Sequence, residues 1–344
     1  MDKRQRRPYG DMEDDRIVLR TLGIGAIIVV LLLGIYFWGR WLEDDGEGEI
    51  RGDIEARFTR QPSIMYQGQA YSPKNNIMTI LFLGIDQSSQ GEEEASPVRN
   101  GGQADFLLLM IMDSKEKIIT PLQIDRDTMT EITMLNVLGK EAGTRRAQLC
   151  LAHSFGKTDT QSAALTAQAV STLLLGVKVD FYLAMNLDGI GALNDAVGGV
   201  EVVLEEDFTS LDTRMGQGNR ITLWGKQAEY YVRNRWGIGV GTNEARMERQ
   251  LQYFNAFGEK FQQSVHKSGE FTGKLFDEVE PYLTTNMKRG RLVNEAWKSR
   301  EYEYHVMERL AGAYMDGADG FREFHADPES LEQLIIDIFY DPVE

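Results

Sequence analysis

Three continuous apolar runs in the first half of the chain predict buried β-strands. They cover residues 77–85, 105–113 and 117–125, and each is bounded by polar or glycine-rich sequence. Apolar runs without polar alternation are typical of strands that helices cover on both faces. The pattern therefore predicts a sheet enclosed between helical layers.

Helical and strand patterns alternate after the third run. Helices are predicted at about residues 160–175 and 187–196, and strands at about residues 179–185 and 200–204. Further helix-forming segments are predicted at residues 225–232, 243–263 and through much of 271–310. Alternating strands and helices are typical of α/β folds. We predict a three-layer α/β/α sandwich with a central mixed β-sheet, followed by a helical C-terminal segment.

A membrane anchor is predicted near the N-terminus. The run from Leu22 to Trp38 carries no charge, and at helical rise it approaches the hydrocarbon core of a bilayer, about 30 Å thick. Basic residues precede this run and acidic residues follow it, which predicts a cytoplasmic N-terminus and an extracytoplasmic main domain on the cell membrane. A cleaved signal peptide is the alternative, although the run ends in bulky aromatic residues rather than a small-residue cleavage pattern.

Composition sets the expected organisation. The lone cysteine, Cys150, excludes a disulfide within the chain, so an exported domain depends on its core for stability. The formal net charge of -16 argues against nucleic acid as a partner, and nothing in the sequence indicates an oligomeric state. We predict a cytoplasmic tail (residues 1–21), a transmembrane anchor (22–42), a linker (43–74), a catalytic domain (75–265) and a helical extension (266–344).

Four arginines stand within residues 230–250 of this acidic chain. Arg233 and Arg235 are two apart and point the same way only on an extended backbone, whereas Arg246, Arg249 and Gln250 have the spacing of one helix face. Guanidinium groups pair bidentately with phosphate or carboxylate oxygens, so the cluster predicts an anion site. The alternative is a solvated helix face with ion pairs to neighbouring glutamates.

Acidic residues stand at one end of each of the three predicted strands. Asp86 follows the first strand, Asp105 begins the second, and Asp125 and Asp127 flank Arg126 after the third. Ligands of α/β sheets gather at strand ends. Two or three carboxylates there predict a hard divalent cation such as Mg²⁺, which keeps waters and takes further oxygens from phosphate. Alternatively, each acid is a turn or helix-cap residue.

Six motifs in a fixed order resemble one known family. They are LFLGID at 81–86, QADF at 103–106, DRDT at 125–128, DAVGGV at 195–200, YVRNR at 231–235 and ARMERQ at 245–250. Their order and spacing are similar to those of the LytR-CpsA-Psr family over about residues 77–250. The N-terminal anchor fits the same resemblance.

The resemblance implies a Mg²⁺-dependent phosphotransferase. Such enzymes move a glycopolymer from a polyprenyl-pyrophosphate carrier to peptidoglycan. The transfer takes place on the outer face of the cell membrane, in a Gram-positive-type envelope. By position, Asp86 and Asp105 match the family's metal ligands. The pyrophosphate-binding residues implied are Arg126, Arg233, Arg235, Arg246 and Gln250, of which Arg126, Arg233 and Arg235 are also the implied catalytic residues. The implied partners are the lipid-linked glycopolymer, peptidoglycan and membrane lipid, with the prenyl tail in an apolar tunnel.

The chain departs from the family pattern at four positions. Gln103 stands where an arginine is common, Asp125 replaces a proline, Cys150 replaces an asparagine, and Asn243 replaces an aspartate. Asparagine cannot accept a proton as a base. These departures keep a second hypothesis open, in which the protein binds lipid-linked glycan without catalysis and serves regulation or wall assembly.

A hydrolase is a further alternative. The AHSFG segment at 152–156 is similar to a relaxed nucleophile elbow centred on Ser154, with His266, His305 and His325 downstream. Such an enzyme needs a strand directly before the serine and a paired acid.

Overall fold

The computed structural model describes residues 63–87, 102–136, 138–235, 237–267, 271–288, 291, 302–318 and 320–343. In chain order its strands are β1 (Ile64–Tyr66), β2 (Gln69–Pro73), β3 (Ile77–Ile85), β4 (Ala104–Asp113), β5 (Ile118–Ile124), β6 (Met129–Leu135), β7 (Glu141–Gln148), β8 (Phe181–Asn186), β9 (Val200–Val203), β10 (Arg220–Leu223), β11 (Leu283–Thr285), β12 (Glu303–Tyr304), β13 (Glu308–Arg309), β14 (Gly312–Asp316), β15 (Arg322–Ala326) and β16 (Tyr340–Pro342). Its α-helices are α1 (Asp159–Leu173), α2 (Leu187–Ala196), α3 (Lys226–Arg233), α4 (Asn243–Lys267), α5 (Phe271–Val279) and α6 (Pro328–Phe339).

A mixed sheet occupies the centre of the described residues. Its order is β11-β8-β3-β4-β5, with β12 and β13 both beside β5. Strands β3, β4 and β5 form an antiparallel meander, whereas β8 runs parallel to β3. The three apolar runs are thus confirmed as neighbouring strands, and the α/β class with a mixed sheet is confirmed.

Side chains of β3 alternate between two cores. Ile80 and Phe82 pack against α2, α3, α4 and α5, whereas Leu81 and Leu83 face the core that contains α1 and α6. All four are at most 8% exposed. Because successive side chains of a strand point to opposite faces, a strand buried between two helical layers must be apolar at every position.

The segment from β8 to β9 follows the sequence prediction closely. Asn186 ends β8 and caps α2, since its side-chain oxygen accepts a hydrogen bond from Gly189 N at 3.2 Å. The helix stops before Gly198 and Gly199, whose φ values of 82° and 77° glycine adopts at low cost. The predicted helix over 187–196 is confirmed, and the two glycines that follow it explain where it ends.

The predicted helical character of the C-terminal extension is wrong for much of its described part. Strands β12 and β13 add to the edge of the central sheet beside β5, and β14 pairs with β15 as a hairpin. Helix formation was expected there from a charged, helix-prone composition. Pairing with an existing sheet edge overrides that local preference, because strand stability comes mainly from neighbouring chains. Helices α5 and α6 are the parts of this extension that match the helical prediction best.

The end of the predicted linker also belongs to the folded part. Strands β1 and β2 form a hairpin through Gln67 and Gly68, whose positive φ values of 49° and 83° match the tight turns of hairpins. Strand β2 then pairs with β16 at the far end of the chain. The predicted anchor at 22–42 lies outside the described residues. Among the residues that are described, no helix has the length and apolar character needed to span a bilayer.

Candidate functional site

The β3–β4 pair brings the two predicted metal ligands to one rim of the sheet. Asp86 follows β3, and its backbone N–H donates to the carbonyl oxygen of Gln103 at 2.8 Å. The register of the pair shifts after Gly84, so Asp105 stands at an irregularity beside this end of β3. A Cβ atom at Gly102 would lie 2.7 Å from the carbonyl oxygen of Asp86, so this close approach requires glycine.

Asp105 lies between two predicted phosphate-binding arginines. Its Oδ1 accepts a hydrogen bond from Arg126 Nη1, and its Oδ2 accepts one from Arg246 Nη1 at 2.9 Å. Arg126 also donates to the side-chain oxygen of Gln103. The side chains of Arg246 and Arg126 are only 3% and 12% exposed, so this ion-pair cluster is largely shielded from solvent.

The second arginine pair lies where α3 ends. Arg233 is the last residue of this helix, and Asn234 takes an extended conformation that turns the chain away. Arg233 Nη2 donates to Asp86 Oδ1 at 2.7 Å. Arg235 lies within electrostatic reach of Asp127 and Arg246. The structure therefore brings Arg126, Arg233 and Arg246 into contact with the two acids, and it places Arg235 close to Asp127 and Arg246.

Arg249 has a different task from Arg246, although both lie on the buried face of α4. It donates to the backbone oxygens of Tyr231, at 3.1 Å, and of Asn234, and it pairs with Glu206. These contacts hold the C-terminal end of α3. Because Arg246 and Arg249 are 2% and 5% exposed, the alternative of a solvated helix face is wrong.

An apolar cavity opens beside these charged groups. It lies between the sheet and the helices α2 and α4, with an empty volume of about 1050 Å³ that includes its open mouth. Its polar lining residues are Asp105, Arg233, Arg246 and Gln250. Gln250 is held there because its Nε2 donates to the carbonyl oxygen of Val232 at 3.1 Å. Its apolar lining includes Phe82, Phe106, Leu108, Leu183, Leu193, Tyr253, Phe254 and Phe257.

Two arginine donors of this site have no hydrogen-bond partner among the described residues. They are Nε of Arg126 and Nε of Arg246, and both atoms are buried. Arg126 Nε nevertheless lies within ion-pair distance of Asp127 Oδ1, at 3.4 Å. A buried donor without a partner costs about 1–3 kcal/mol, so native proteins rarely leave one unsatisfied outside a functional site. Arg246, which also lines the cavity, is suited to donate from Nε to an oxygen atom of an anionic ligand.

Asp125 and Asp127 lie behind the rim and are buried rather than exposed to the cavity. Burial raises the pKa of Asp127 to about 6, although the charge of Arg126 opposes the shift. Burial also raises the pKa of Asp125. The thiol of Cys150 contacts Arg126 Nη2 at 3.1 Å, and burial raises its pKa to about 11, which keeps it neutral.

Tyr314, for which the sequence predicts no role, lies beside the site. Its hydroxyl donates to Asp125 Oδ2 from a position 189 residues further along the chain. Asn243, noted only as a departure, donates to the other oxygen of Asp125 at 2.7 Å. No local pattern in the sequence marks Tyr314, because its position depends on how the C-terminal hairpin packs.

Asp86 and Asp105 form a donor set that fits Mg²⁺. Each carboxylate oxygen has two lone pairs, so an oxygen that accepts one arginine hydrogen bond can still coordinate a cation. Within the described residues, no group of three or more His, Cys, Asp or Glu side chains is arranged to hold a metal ion. Two carboxylates suffice for Mg²⁺, which commonly completes its coordination with water and phosphate oxygens.

The serine of the AHSFG segment does not resemble a catalytic nucleophile in the structure. Ser154 lies in a 3-10 helix, Leu149–Phe155, and is 4% exposed. Its Oγ is 3.5 Å from the carbonyl oxygen of Gly102. A nucleophile elbow exposes its serine on a sharp strand-to-helix turn, so this geometry does not support a hydrolase.

Comparison with known proteins identifies related chains. The chain is 30% identical over 224 residues to the polyisoprenyl-teichoic acid–peptidoglycan teichoic acid transferase TagU of Bacillus mycoides, covering 64% of this chain and 63% of that relative. This alignment spans less than two thirds of that relative. The chain is also 27% identical over 281 residues to TagU of Bacillus cereus, covering 80% of this chain and 81% of the relative.

A solved structure shares the fold. Protein gbs0355 from Streptococcus agalactiae superposes with a TM-score of 0.62 at 21% identity, covering 76% of this chain and 86% of that one. The model of the LytR_cpsA_psr family matches residues 52–334, which include β1 and β2 as well as most of the C-terminal extension. The sequence resemblance is thereby confirmed over more of the chain than its motifs covered, and the chain belongs to the LytR_cpsA_psr family.

Proposed function

We propose that this protein is a phosphotransferase that moves a glycopolymer from a polyprenyl-pyrophosphate carrier to peptidoglycan on the outer face of the cell membrane. One observation carries the proposal: an apolar cavity whose mouth holds Arg233, Arg246 and Gln250 beside Asp105. A ligand that matches this surface has a hydrocarbon tail and an anionic head. The transferase names of the TagU relatives point to the same class of substrate.

The cavity suits the prenyl tail of the carrier. Its walls include Phe82, Leu108 and Phe254, all at most 8% exposed. Burying apolar ligand surface contributes about 25 cal/mol for each Å² removed from water. A long prenyl chain therefore gains substantial binding energy here, and the arginines at the mouth orient its phosphate end.

The arginines suit the diphosphate. Arg246 Nε has no hydrogen-bond partner within the described part of the structure, and Arg126 Nε lies 3.4 Å from Asp127 Oδ1. Asp105 holds one Nη group of each arginine, and Gln103 and Asn243 hold the others. Fixed donors stabilise the charge that develops on a leaving phosphate without reorganising during the reaction. Arg233, 42% exposed at the mouth, is accessible to a ligand from solvent.

The balance of charged side chains in the site favours a bound cation. Arg126, Arg233, Arg235 and Arg246 are matched by four aspartates nearby, so the site has little net charge to offset the two negative charges of a diphosphate diester. We propose that Asp86 and Asp105 hold Mg²⁺. When bound, Mg²⁺ supplies the missing positive charge next to the phosphate oxygens.

The proposed reaction transfers one phosphoryl-linked glycan. A hydroxyl of the acceptor sugar attacks the phosphorus distal to the prenyl group and forms a new P–O bond, while its proton passes to a nearby carboxylate. The bond between that phosphorus and the bridging oxygen breaks, and polyprenyl phosphate leaves. Arg126 and Arg246 hold the diphosphate in line for attack and stabilise the charge on the leaving group.

Release of polyprenyl phosphate tests the proposal. Purified full-length protein in detergent is incubated with a lipid-linked oligosaccharide, Mg²⁺ and peptidoglycan fragments, and the released lipid is quantified. Arg126→Ala and Arg235→Ala should each lower turnover about 10²-fold, as for loss of one oxyanion donor. Arg220→Ala is the matched control, because Arg220 is exposed on β10 and pairs with Glu201.

The two function hypotheses give opposite results in this assay. Binding of the lipid-linked oligosaccharide without any release would contradict the transferase and support the non-catalytic envelope protein. Near-normal turnover of both Arg126→Ala and Arg235→Ala would also contradict the mechanism, since the arginines would then carry none of the catalysis.

A further inference from the structure

A chain of buried and partly buried hydrogen bonds links the C-terminal hairpin to the arginines of the site. Tyr314 on β14 donates to Asp125, and Asn243 Nδ2 donates to the same carboxylate at 2.7 Å. The side-chain oxygen of Asn243 accepts from Arg246 Nη2 at 2.6 Å. Arg246 in turn donates to Asp105. Four segments that lie far apart in the sequence thus meet in one network.

Asn243 has both ends of its amide committed. Its NH₂ group can only donate and its oxygen can only accept, so Asp125 on one side and Arg246 on the other determine which way the amide points. Both Asn243 and Asp125 are at most 5% exposed. If Asp125 did not accept from the amide, a flipped Asn243 would present a donor to the donor of Arg246.

The hairpin is held together by internal ring contacts and is joined to the same region by a backbone hydrogen bond. The ring of Tyr314 packs edge-on against Phe324, with centroids 5.1 Å apart, and the guanidinium of Arg322 lies 4.5 Å from the centroid of the Tyr314 ring. Phe324 N donates to the carbonyl oxygen of Asp127 at 2.9 Å. The hairpin therefore holds the Tyr314 hydroxyl against the loop that carries Asp125.

We propose that Tyr314, Asp125 and Asn243 form a positioning network that aims Arg246 at the diphosphate, which makes the C-terminal hairpin part of the site. This inference rests on the proposed function, because it assumes that Arg246 binds a phosphate group. None of the three residues lines the cavity, so they act through Arg246 rather than on the substrate.

The carboxylate at 125 and the amide at 243 are matched to each other. In Asn243→Asp, two carboxylates meet at hydrogen-bond distance and repel each other, and the added negative charge opposes an anionic ligand. In Asp125→Asn, the charge-assisted hydrogen bonds to this position become neutral and weaker. The double variant keeps one carboxylate and one amide across the same contact, so the repulsion of the single Asn243→Asp variant is relieved.

Binding of inorganic pyrophosphate to the full-length protein measures the positioning. Isothermal titration should show about threefold weaker binding for Asp125→Asn and about tenfold weaker binding for Asn243→Asp. Adding Asp125→Asn to the Asn243→Asp variant should strengthen binding, so the same change acts with opposite sign in the two backgrounds. Tyr314→Phe should weaken binding about threefold, because Asp125 loses a donor.

Two control variants separate positioning from folding. Asp113 is also buried and accepts from an asparagine, Asn76, and from backbone N–H groups, but it lies at the opposite end of β4 from Asp105. Asp113→Asn should lower the unfolding temperature without changing pyrophosphate affinity. Tyr66→Phe removes a phenol that donates to Gln333 at 2.9 Å, and it should leave the affinity unchanged.

The possible outcomes are decisive. Removing the charge of Asp125 favours an anion by Coulomb attraction alone, so tighter binding by Asp125→Asn would overturn the proposal. Equal effects of Asp125→Asn in both backgrounds, or no pyrophosphate binding by the unmodified protein, would overturn it too. If the opposite-sign effect is present but the unmodified protein releases no polyprenyl phosphate, the network stands and the proposed function falls.

Discussion

Replacing Asp105 by asparagine tests how much its ion pairs with two arginines contribute to the stability of the folded protein. Its two oxygens accept hydrogen bonds from Arg126 and Arg246, and its side chain is 14% exposed. In Asp105→Asn one oxygen becomes an NH₂ group, which meets an arginine donor instead of accepting from it. The negative charge between the two guanidinium groups is also lost. The variant is therefore expected to be less stable than the unmodified protein.

The size of the effect follows from the burial of this pair. Breaking a buried ion pair by removing one partner costs about 3–5 kcal/mol. Asparagine retains one acceptor oxygen, so we expect the lower end, about 3 kcal/mol. For a domain of more than 200 residues, each kcal/mol lowers the unfolding temperature by roughly 2 °C, which predicts a decrease of roughly 6 °C.

An exposed ion pair of similar geometry provides the control. Glu201 accepts from Arg220 at 3.0 Å, but these side chains are 52% and 69% exposed. Surface pairs contribute about 0–1 kcal/mol, so Glu201→Gln should lower the unfolding temperature by less than about 2 °C. Thermal unfolding of the full-length variants, followed by circular dichroism at pH 7, makes the comparison. Equal stability of Asp105→Asn and Glu201→Gln would refute the energetic role of the buried pair.

Three further predictions concern the cation, the cavity and pH. Chelation of divalent cations should abolish release of polyprenyl phosphate and added Mg²⁺ should restore it; undiminished release in excess chelator would exclude the cation. Leu193→Trp fills the cavity and should weaken binding of a polyprenyl-phosphate probe at least tenfold while inorganic pyrophosphate affinity is retained; parallel loss of both would indicate misfolding instead. Asp127 has a pKa of about 6 in the folded protein against an ordinary value of 3.8, so the folded state binds this proton more tightly. Its stabilising contribution is present below pH 3.8 and is lost as the pH rises through about 6. In urea unfolding, the free energy of unfolding should therefore decrease less over that pH interval in Asp127→Asn than in the unmodified protein. The same pH dependence in both proteins would contradict the raised pKa of Asp127.

The departures from the family pattern gain a physical meaning from the structure. Gln103, where an arginine is common, accepts from Arg126 and so helps to hold that side chain. Asp125 and Asn243, which replace a proline and an aspartate, are in direct contact. The site therefore retains a carboxylate beside Asn243 and Arg246, although at a different position in the chain.

The sequence by itself determined the main strands of the sheet and several of the helices that cover it. Strands β3, β4 and β5 were predictable because burial on both faces demands apolar residues at every position, and this demand is visible in a short window. The stop of α2 was predictable for a similar reason, since glycine marks a left-handed backbone locally. The candidate acids and arginines could also be named from their places next to these elements.

Only the tertiary structure decided how those side chains pair. The hydrogen bond from Tyr314 to Asp125 joins residues 189 positions apart, and the one from Arg246 to Asp105 joins residues 141 apart. Edge strands such as β12 and β13 likewise form because β5 offers unpaired backbone groups, although their own composition favours helix. Such contacts depend on the packing of the whole domain, because hydrogen bonds and ion pairs act between atoms close in space whatever their separation along the chain.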